Sequence, residues 1–344
     1  MVLLIGDRDI DEISITPEEV IEVVEDAYRQ EGAGKAFETP RLEIRIKGRH
    51  LPHIAPGTTS VGQGIAYLME SKALVVSHAY HFAWNKYVSQ ILDPDTGETL
   101  ALIRRGREVL GVKSNKIDSG GLRTGAAAAI GAKYLAKDSV DAVGVIGTGR
   151  VGRASLVCLQ KVREFDKVFA HSGRRRDEEF AADMERALGV DVAVCDSPET
   201  VVRGSEILVT ATYATEPIVK GEWLCEGMHI SGMGADDTLK AELDANAIGR
   251  MDKIVIDSEK CLTIGEIAEP IKKGIISPES IHGKIGEVVN GSKPGRENPD
   301  EITFFESDGT HIQSASVAWL IYRKVKEAGL GVDTSKLASF FVNP

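Results

Sequence analysis

Three stretches of this 344-residue chain combine residue types that bind anions or move protons. The first is Gly147-Thr148-Gly149-Arg150-Val151-Gly152, a G-x-G-x-x-G turn between the apolar run "AVGVI" and the helical pattern "RVGRASLVCLQ". In that setting the first glycine permits a tight turn and the second lets a pyrophosphate approach the backbone. The third lets the helix pack close to the strand. The N-terminus of the helix then offers free N–H groups and partial positive charge to phosphates. Glycine turns also arise for packing alone, but the strand before and the helix after this one point to a dinucleotide.

The next strand, "KVFAHS" (167–172), refines the cofactor. A site that prefers NAD usually ends this strand in an acid that bonds the ribose 2′-hydroxyl. Here Ser172 stands at that place, followed by Arg174, Arg175 and Arg176. A 2′-phosphate needs donors and positive charge, and a carboxylate would repel it, so NADP(H) is the expected cofactor and NAD(H) the alternative. The same letters also describe a solvated basic loop with Asp177 capping the following helix, and both readings can hold together.

The second stretch, "GGLRTGAAAA", puts Arg123 and Thr124 at the start of an alanine-rich helix, where a guanidinium beside backbone N–H groups suits a carboxylate or phosphate. The third, "SGMGADD" (231–237), follows a strand at its carboxyl end, where the ligands of such sheets sit. Asp236 or Asp237 there would exchange a proton with an amine or stabilise an iminium cation. The structural alternatives are an ordinary ion-paired arginine, and an aspartate capping a helix over "TLKAELD".

Alternating strands and helices position these residues. Strands are expected at 142–147, 167–172, 190–194, 206–212, 228–234 and 253–257, with helices after the glycine turn and at 177–188. That rhythm implies a parallel, doubly wound α/β sheet. Before it, residues 1 to about 120 read as an α+β unit rich in antiparallel pairing. "ITPEEVIEVVEDAYRQ" opens a helix with Thr16 as cap, Pro17 in the first turn and Glu19 closing a capping box. "RLEIRI", "ALVVSHAY" and "YVSQIL" read as strands, and "DPDTGETLALI" as a tight turn and a further strand. A last amphipathic helix spans about 311–328.

Composition sets outer limits. The chain is 42% hydrophobic and 27% charged, with a net charge of -11. An acidic surface argues against nucleic acid and anionic membranes as partners. The four cysteines, Cys158, Cys195, Cys225 and Cys261, form no C-x-x-C pair and suggest neither disulfides nor zinc, in keeping with a reducing cytoplasm. The eight histidines show no metal-ligand spacing, and no metal is expected. No stretch approaches the ~20 apolar residues of a membrane span.

With these segments in place the sequence resembles the ornithine cyclodeaminase/mu-crystallin family, which includes archaeal alanine dehydrogenases and imine reductases. The matching stretches run in order from about 120 to 328: "RTGAAAAIGAKYLA", "GVIGTGRVGRASL", "ILVTAT", "GMHISGMGADDTLKAELD", "GEIAEPIKKGII", "IHGKIGEVVNGSKPGRENPDEITFFESDGT" and the closing helix. "TPEEVIEVVEDAYR", "GKAFETPR" and "ILDPDTGETLAL" match more loosely before them. The resemblance implies a homodimer in which residues 1–122 and 311–344 form a substrate-binding and dimerisation domain. A Rossmann-type domain, 123–310, is inserted between them. It implies chemistry at the carbon bearing an α-amino group, through an imine, with a nicotinamide giving or taking a hydride. On this likeness Arg123 binds the substrate carboxylate, Asp236 is the catalytic aspartate, and Thr124 lies at the cofactor phosphates. Ser172, Arg174 and Arg175 select NADP(H). Thr210, Ala211 and Thr212 of "ILVTAT", with Met233 and Gly234, complete the cofactor site, and Arg41 joins the substrate site.

The first half departs from the family. Its substrate lysine aligns with Ala73, with Lys72 one place away, and the loop that follows is short and aromatic (Tyr80, His81, Phe82, Trp84). His53, His78 and His81 are candidate acid–base groups, Lys72 and His78 are placed with Arg41 and Arg123 in the substrate site, and Arg104, Arg105, Lys113 and Lys116 enrich a long link before Arg123. The leading expectation is an NADP(H)-dependent oxidoreductase acting on the CH–NH group of small amino, imino or keto acids. The alternatives are a cyclodeaminase that recycles its cofactor, and a non-catalytic NADPH-binding protein.

Overall fold

The computed structural model describes residues 2–40, 42–45, 60–81, 85–105, 119–173, 177–236, 238 and 240–335. The chain divides into two compact units, Met1–Ser119 with Thr310–Pro344, and Gly120–Gly309.

The first unit begins with β1 (Leu3–Ile5), α1 (Asp7–Glu12) and α2 (Pro17–Gly32). Five short to long strands, β2 (Ala36–Glu38), β3 (Leu42–Arg45), β4 (Ser60–Leu68), β5 (Ala73–His81) and β6 (Asn85–Leu92), lead to β7 (Thr99–Arg105). In α2 the capping box forms as the sequence predicts. Thr16 Oγ1 accepts from the Glu19 N–H (3.2 Å), and Glu19 Oε2 accepts from the Thr16 N–H (2.8 Å).

The second unit follows. It comprises α3 (Ser119–Leu135), β8 (Ala142–Ile146), α4 (Arg150–Leu159), β9 (Lys167–His171), α5 (Asp177–Leu188) and β10 (Asp191–Val194). It continues through α6 (Pro198–Gly204), β11 (Ile207–Thr210), β12 (His229–Gly232), α7 (Ala245–Gly249), β13 (Lys253–Ile256), α8 (Gly265–Lys272), β14 (Ile281–Lys284), α9 (Ile285–Val289) and β15 (Thr303–Glu306). The chain then returns to the first unit through α10 (His311–Glu327) and β16 (Val332–Asp333).

The first unit's sheet runs β16-β1-β7-β6-β5-β4-β2, with β3 also paired to β4. All its pairs are antiparallel except β1 with β7. Alternation sorts its side chains. Ala66, Leu68, Ala73, Val75, Ile91, Ala101 and Ile103 are buried on the face that α2 and α10 cover. The other face carries Phe37, Ile65 and Leu102 exposed, beside Leu74 and Val76. β4 escapes the sequence reading because "SVGQGIAYL" carries two glycines. One has a spatial reason: a Cβ on Gly64 would collide with the His311 ring at the start of α10.

The second unit's sheet has the order β10-β9-β8-β11-β12-β15-β13-β14, and every pair in it is parallel. β8, β11, β12, β13 and β15 are buried along their whole length. They lie covered on both faces, so their runs are apolar apart from polar residues that are themselves buried, Thr210, His229, Ser231, Lys253, Thr303 and Glu306. The order reverses at β8, which has β9 on one side and β11 on the other. Ligands of such sheets sit at the carboxyl ends of the strands at that switch point. β15, last in sequence, inserts between β12 and β13. His229 on β12 is buried between Thr303 Oγ1 (2.9 Å) and Ser231 Oγ (3.0 Å), and burial, then the Arg296 charge, push its pKa down to about 3. Among the described residues no helix is long and apolar enough to cross a membrane.

Candidate active site

The glycine turn lies at the switch point, between β8 and α4. Gly147 has φ +108°, and a Cβ there would collide with the Ala211 carbonyl oxygen. Gly152 is equally constrained, because a Cβ would collide with the Gly147 carbonyl oxygen. Gly149 differs from both. It caps α4 with φ −84°, and a Cβ there would meet nothing within 4 Å. Neither packing nor backbone conformation requires glycine at 149, and open space beside the first N–H groups of a helix is what a pyrophosphate needs. Thr148, Arg150 and Val151 are half-buried around this space. The turn therefore fits a dinucleotide.

Ser172, one residue beyond β9, is held by an acid that sequence reasoning treated only as a cap. Asp177, the first residue of α5, is buried. Its Oδ2 accepts from the Ser172 N–H (2.8 Å), and its Oδ1 accepts from the Thr148 hydroxyl (2.8 Å) and from the Ser172 hydroxyl. One carboxylate thus ties the end of β9 to the glycine turn. No short motif announces it, since Asp177 lies five residues past the strand-end position where an acid is sought.

The loops after β11 and β12 are clamped by a second acid. Glu242, fully buried, accepts from the Thr212 N–H on Oε1 (2.5 Å) and from the Gly234 N–H on Oε2 (3.0 Å). Thr210, Ala211 and Thr212 are thereby held level with Met233 and Gly234, whose strand ends are joined by Met233 N–H to Thr210 O (2.9 Å). Behind Glu242, Glu266 accepts from the N–H groups of Glu242 (2.7 Å) and Leu243 (2.9 Å), and Glu306 Oε1 accepts from the Glu266 N–H (2.6 Å). Burial raises all three acids. Glu266, which also feels the Glu242 charge, reaches about 8. These carboxyls cap backbone donors, and among the described residues no three His, Cys, Asp or Glu side chains are placed to hold a metal ion.

Arg123 and Thr124 sit one turn inside α3, which begins at Ser119, so the helix starts earlier than its sequence suggests. Arg123 is half-buried. Its Nη2 donates to Thr124 Oγ1 (3.3 Å), whose hydroxyl donates to the Gly120 carbonyl (3.0 Å). Asp236 is exposed beyond β12 and ion-paired with Lys240, which also donates to the Gly234 carbonyl (3.2 Å) and lies over the Tyr213 ring (4.7 Å). The helix that Asp236 was expected to cap is not there. Thr238 is in a turn, residues 240–244 are irregular, and the next helix, α7, is capped by Asp244.

In the first unit, Lys72 lies in the turn between β4 and β5 with φ +54°, exposed and paired with Asp95 (3.3 Å). It precedes the strand rather than lying on it, and Ala73 beside it is fully buried against the helices. A one-residue slip therefore does not exchange the two. His78 is half-buried near the far end of β5, on the sheet face away from α2 and α10. At roughly 3.3 Å per residue, Lys72 and His78 stand about 20 Å apart, too far to share one small substrate. Arg104 is exposed on β7. Arg41, His53, Phe82, Trp84, Lys113, Lys116, Arg174, Arg175, Arg176 and Asp237 lie outside the described residues, as do the side chains of Tyr80, His81 and Arg105.

Known proteins share this fold. The chain is 30% identical over 335 residues to an alanine dehydrogenase of Archaeoglobus fulgidus, covering 96% of this chain and 97% of that one. Among solved structures, a Thermococcus litoralis Delta(1)-pyrroline-2-carboxylate reductase in complex with NADH and L-proline superposes with a TM-score of 0.85 at 32% identity, covering 96% and 99% of the two chains. An archaeal alanine dehydrogenase dimer with bound NAD superposes at 0.83 and 30% identity, covering 96% and 98%. The model of the ornithine cyclodeaminase/mu-crystallin family matches residues 7–329, and this chain belongs to that family.

Proposed function

We propose that this protein is a nicotinamide-dependent oxidoreductase that interconverts amino acids and their imines, with NADP(H) as its preferred cofactor. The observation that carries the reading is the open space at Gly149, at the same carboxyl end of the sheet as the loops bearing Asp236 and the residues clamped by Glu242. Its relatives at 30% and 32% identity support the chemistry, being named an alanine dehydrogenase and a Delta(1)-pyrroline-2-carboxylate reductase.

When bound, the nicotinamide supplies or accepts the hydride. The chain's own residues do the rest. The N–H groups at the start of α4 and the Thr148 side would hold the pyrophosphate, and Thr210–Thr212 with Met233–Gly234 would complete the cofactor site. Arg123 orients the substrate carboxylate, and Arg41 and His78 are its proposed companions. Asp236 faces the charge that develops on nitrogen, with Lys240 fixing its position. Positioning and a preset electrostatic field do most of the work in such a site.

Ser172, Arg174 and Arg175 support NADP(H). Asp177 supports the second reading, NAD(H), because it places a carboxylate 2.8 Å from the Ser172 N–H and takes up the Ser172 hydroxyl. The relatives holding NADH and NAD point the same way. The open apolar face of the first unit's sheet, with Phe37 55% and Ile65 37% exposed, supports a homodimer closed through that face.

The test is to incubate pure protein with NADPH or NADH and a panel of cyclic imino acids and of keto acids with amines. Net oxidation of cofactor is expected, faster with NADPH. Ammonia release from ornithine without net oxidation would make it a cyclodeaminase, and tight NADPH binding with neither a binding protein. Asp236→Asn is expected to lower kcat by about 10²–10⁴-fold, and Arg123→Ala mainly to raise KM.

A further inference from the structure

A second acid stands beside Asp236, and the family motifs do not mark it. Gly232 and Glu306 are register partners on neighbouring strands, so the loop Ser307–Gly309 after β15 adjoins the loop that carries Asp236. The Ser307 N–H donates to the Gly232 carbonyl (3.1 Å). Asp257, just beyond β13, fixes this loop. Its Oδ2 accepts from the Ser307 hydroxyl (2.7 Å) and the Gly309 N–H (2.8 Å), and its Oδ1 from the Asp308 N–H (3.3 Å). Arg123 reaches the same loop from α3, since a methyl group on Gly309 would lie 3.0 Å from Arg123 Nη1. Within this frame the Asp308 side chain is 7% exposed, and apart from a weak approach of the Cys261 thiol neither of its carboxyl oxygens has a hydrogen-bond partner.

A buried carboxylate with no partner is costly, and the cost falls if the group carries a proton. Asp236 is its opposite: exposed, paired with Lys240, and so held as a fixed negative charge. We propose that Asp308 is the proton-carrying carboxyl of the active site, which gives its proton to the substrate nitrogen as the C=N bond is reduced. The inference rests on the imine-reducing reading above. In that direction one O–H bond of Asp308 breaks and one N–H bond forms, while the hydride added to carbon is the reduced cofactor's contribution. The carboxylate left behind lies in the loop that Arg123 reaches at Gly309, and water restores its proton. In the oxidative direction the same group takes the proton back.

The surroundings favour this role. Burial and then the Asp257 charge push Asp308 up to about 7, and Asp236 adds to the rise. Lys260 and the Cys261 thiol, on the short helix Glu259–Leu262, act in the opposite sense. Glu266 on α8 and Glu306 on β15 are buried acids that feel Asp308 in turn. A pKa near the operating pH is what an acid–base group needs.

Two measurements on the full chain test the proposal. Infrared difference spectra across pH 5–9 are expected to show one protonated-carboxyl band lost near pH 7, absent from Asp308→Asn. In steady-state imine reduction, wild type is expected to lose rate as pH rises through about 7, and Asp308→Asn is expected to lose about 10²–10⁴-fold in kcat together with that alkaline fall-off. Its cofactor affinity, read by nicotinamide fluorescence, should stay within about twofold, which a merely structural role would not guarantee. Should Asp308→Asn not fold, Asp308→Ser is read in the same way. An active wild type whose Asp308→Asn variant keeps both kcat and the alkaline limb overturns this inference alone. A wild type that reduces no imine overturns the functional reading with it.

Discussion

Two ends of one sheet edge solve the problem of holding a charged ligand in opposite ways. At the carboxyl ends of β8 and β9 the site is made by missing side chains. Gly147 and Gly152 let the backbone fold tightly, and Gly149 leaves room for phosphate. At the carboxyl ends of β12, β15 and β13 it is made by buried side chains: Glu242, Glu266, Glu306, Asp257 and Asp308. The first end uses backbone dipoles, whose direction follows from secondary structure. The second uses carboxyls that cap backbone donors in low dielectric, where each proton matters to stability. The acid end, where burial raises Glu242, Glu266, Glu306 and Asp308, is where pH enters the comparison.

The largest expected effect follows from that contrast. Folded-state pKa values of about 8 for Glu266 and about 7 for Asp308 exceed their unfolded values, so the folded protein holds protons that the unfolded chain has released. Stability from these groups is complete below pH 4 and is lost as pH rises through 7 and 8. His229, lowered from 6.5 to about 3, works the other way, but only below 6.5. Between pH 6.5 and 8 wild-type stability should therefore fall, by on the order of 2 kcal/mol at 1.36 kcal/mol per pKa unit. Denaturant melts at several pH values check this, with Asp308→Asn showing the shallower decline. A wild type that gains stability over that interval breaks the comparison.

Gly152→Ala should come next, costing about 1–3 kcal/mol because the added methyl must displace the Gly147 carbonyl, and weakening the cofactor with it. Asp177→Asn should cost about 1–2 kcal/mol, since one of three donors then faces an amide N–H, and it should narrow any gap between NADPH and NADH binding. Gly149→Ala should have the smallest effect on the fold, within about 0.5 kcal/mol, yet bind cofactor at least roughly tenfold more weakly. A Gly149→Ala variant that melts early and binds normally would make Gly149 a packing glycine like its neighbours. For the open sheet face, Ile65→Asp should shift light scattering from dimer to monomer.

How far each region is legible follows from the range of the forces that build it. The capping box of α2, the bounds of α5 and the G-x-G-x-x-G turn depend on residues within a few positions of one another, and each stands where the letters predict. β4 was missed because Gly62 and Gly64 interrupt its alternation for a reason 247 positions further along, in the case of Gly64 and His311. Asp177 reads as a helix cap until the fold brings Thr148 and Ser172 to it. Lys72 reads as lying one place from the family's lysine position until the structure shows it in the turn before Ala73, with φ +54° and paired with Asp95.

The letters alone carried the alternation of strands and helices, the dinucleotide turn and the placement of Arg123 and Asp236 on their elements, because periodicity and backbone freedom are local properties. Tertiary structure alone decided that β15 lies between β12 and β13, and so that Asp308 stands in the loop next to Asp236. It also decided which acids are buried and therefore hold protons. A carboxyl's charge depends on what surrounds it in space, and its neighbours here come from α3, β13, α8 and β15, segments separated by up to 185 residues of chain.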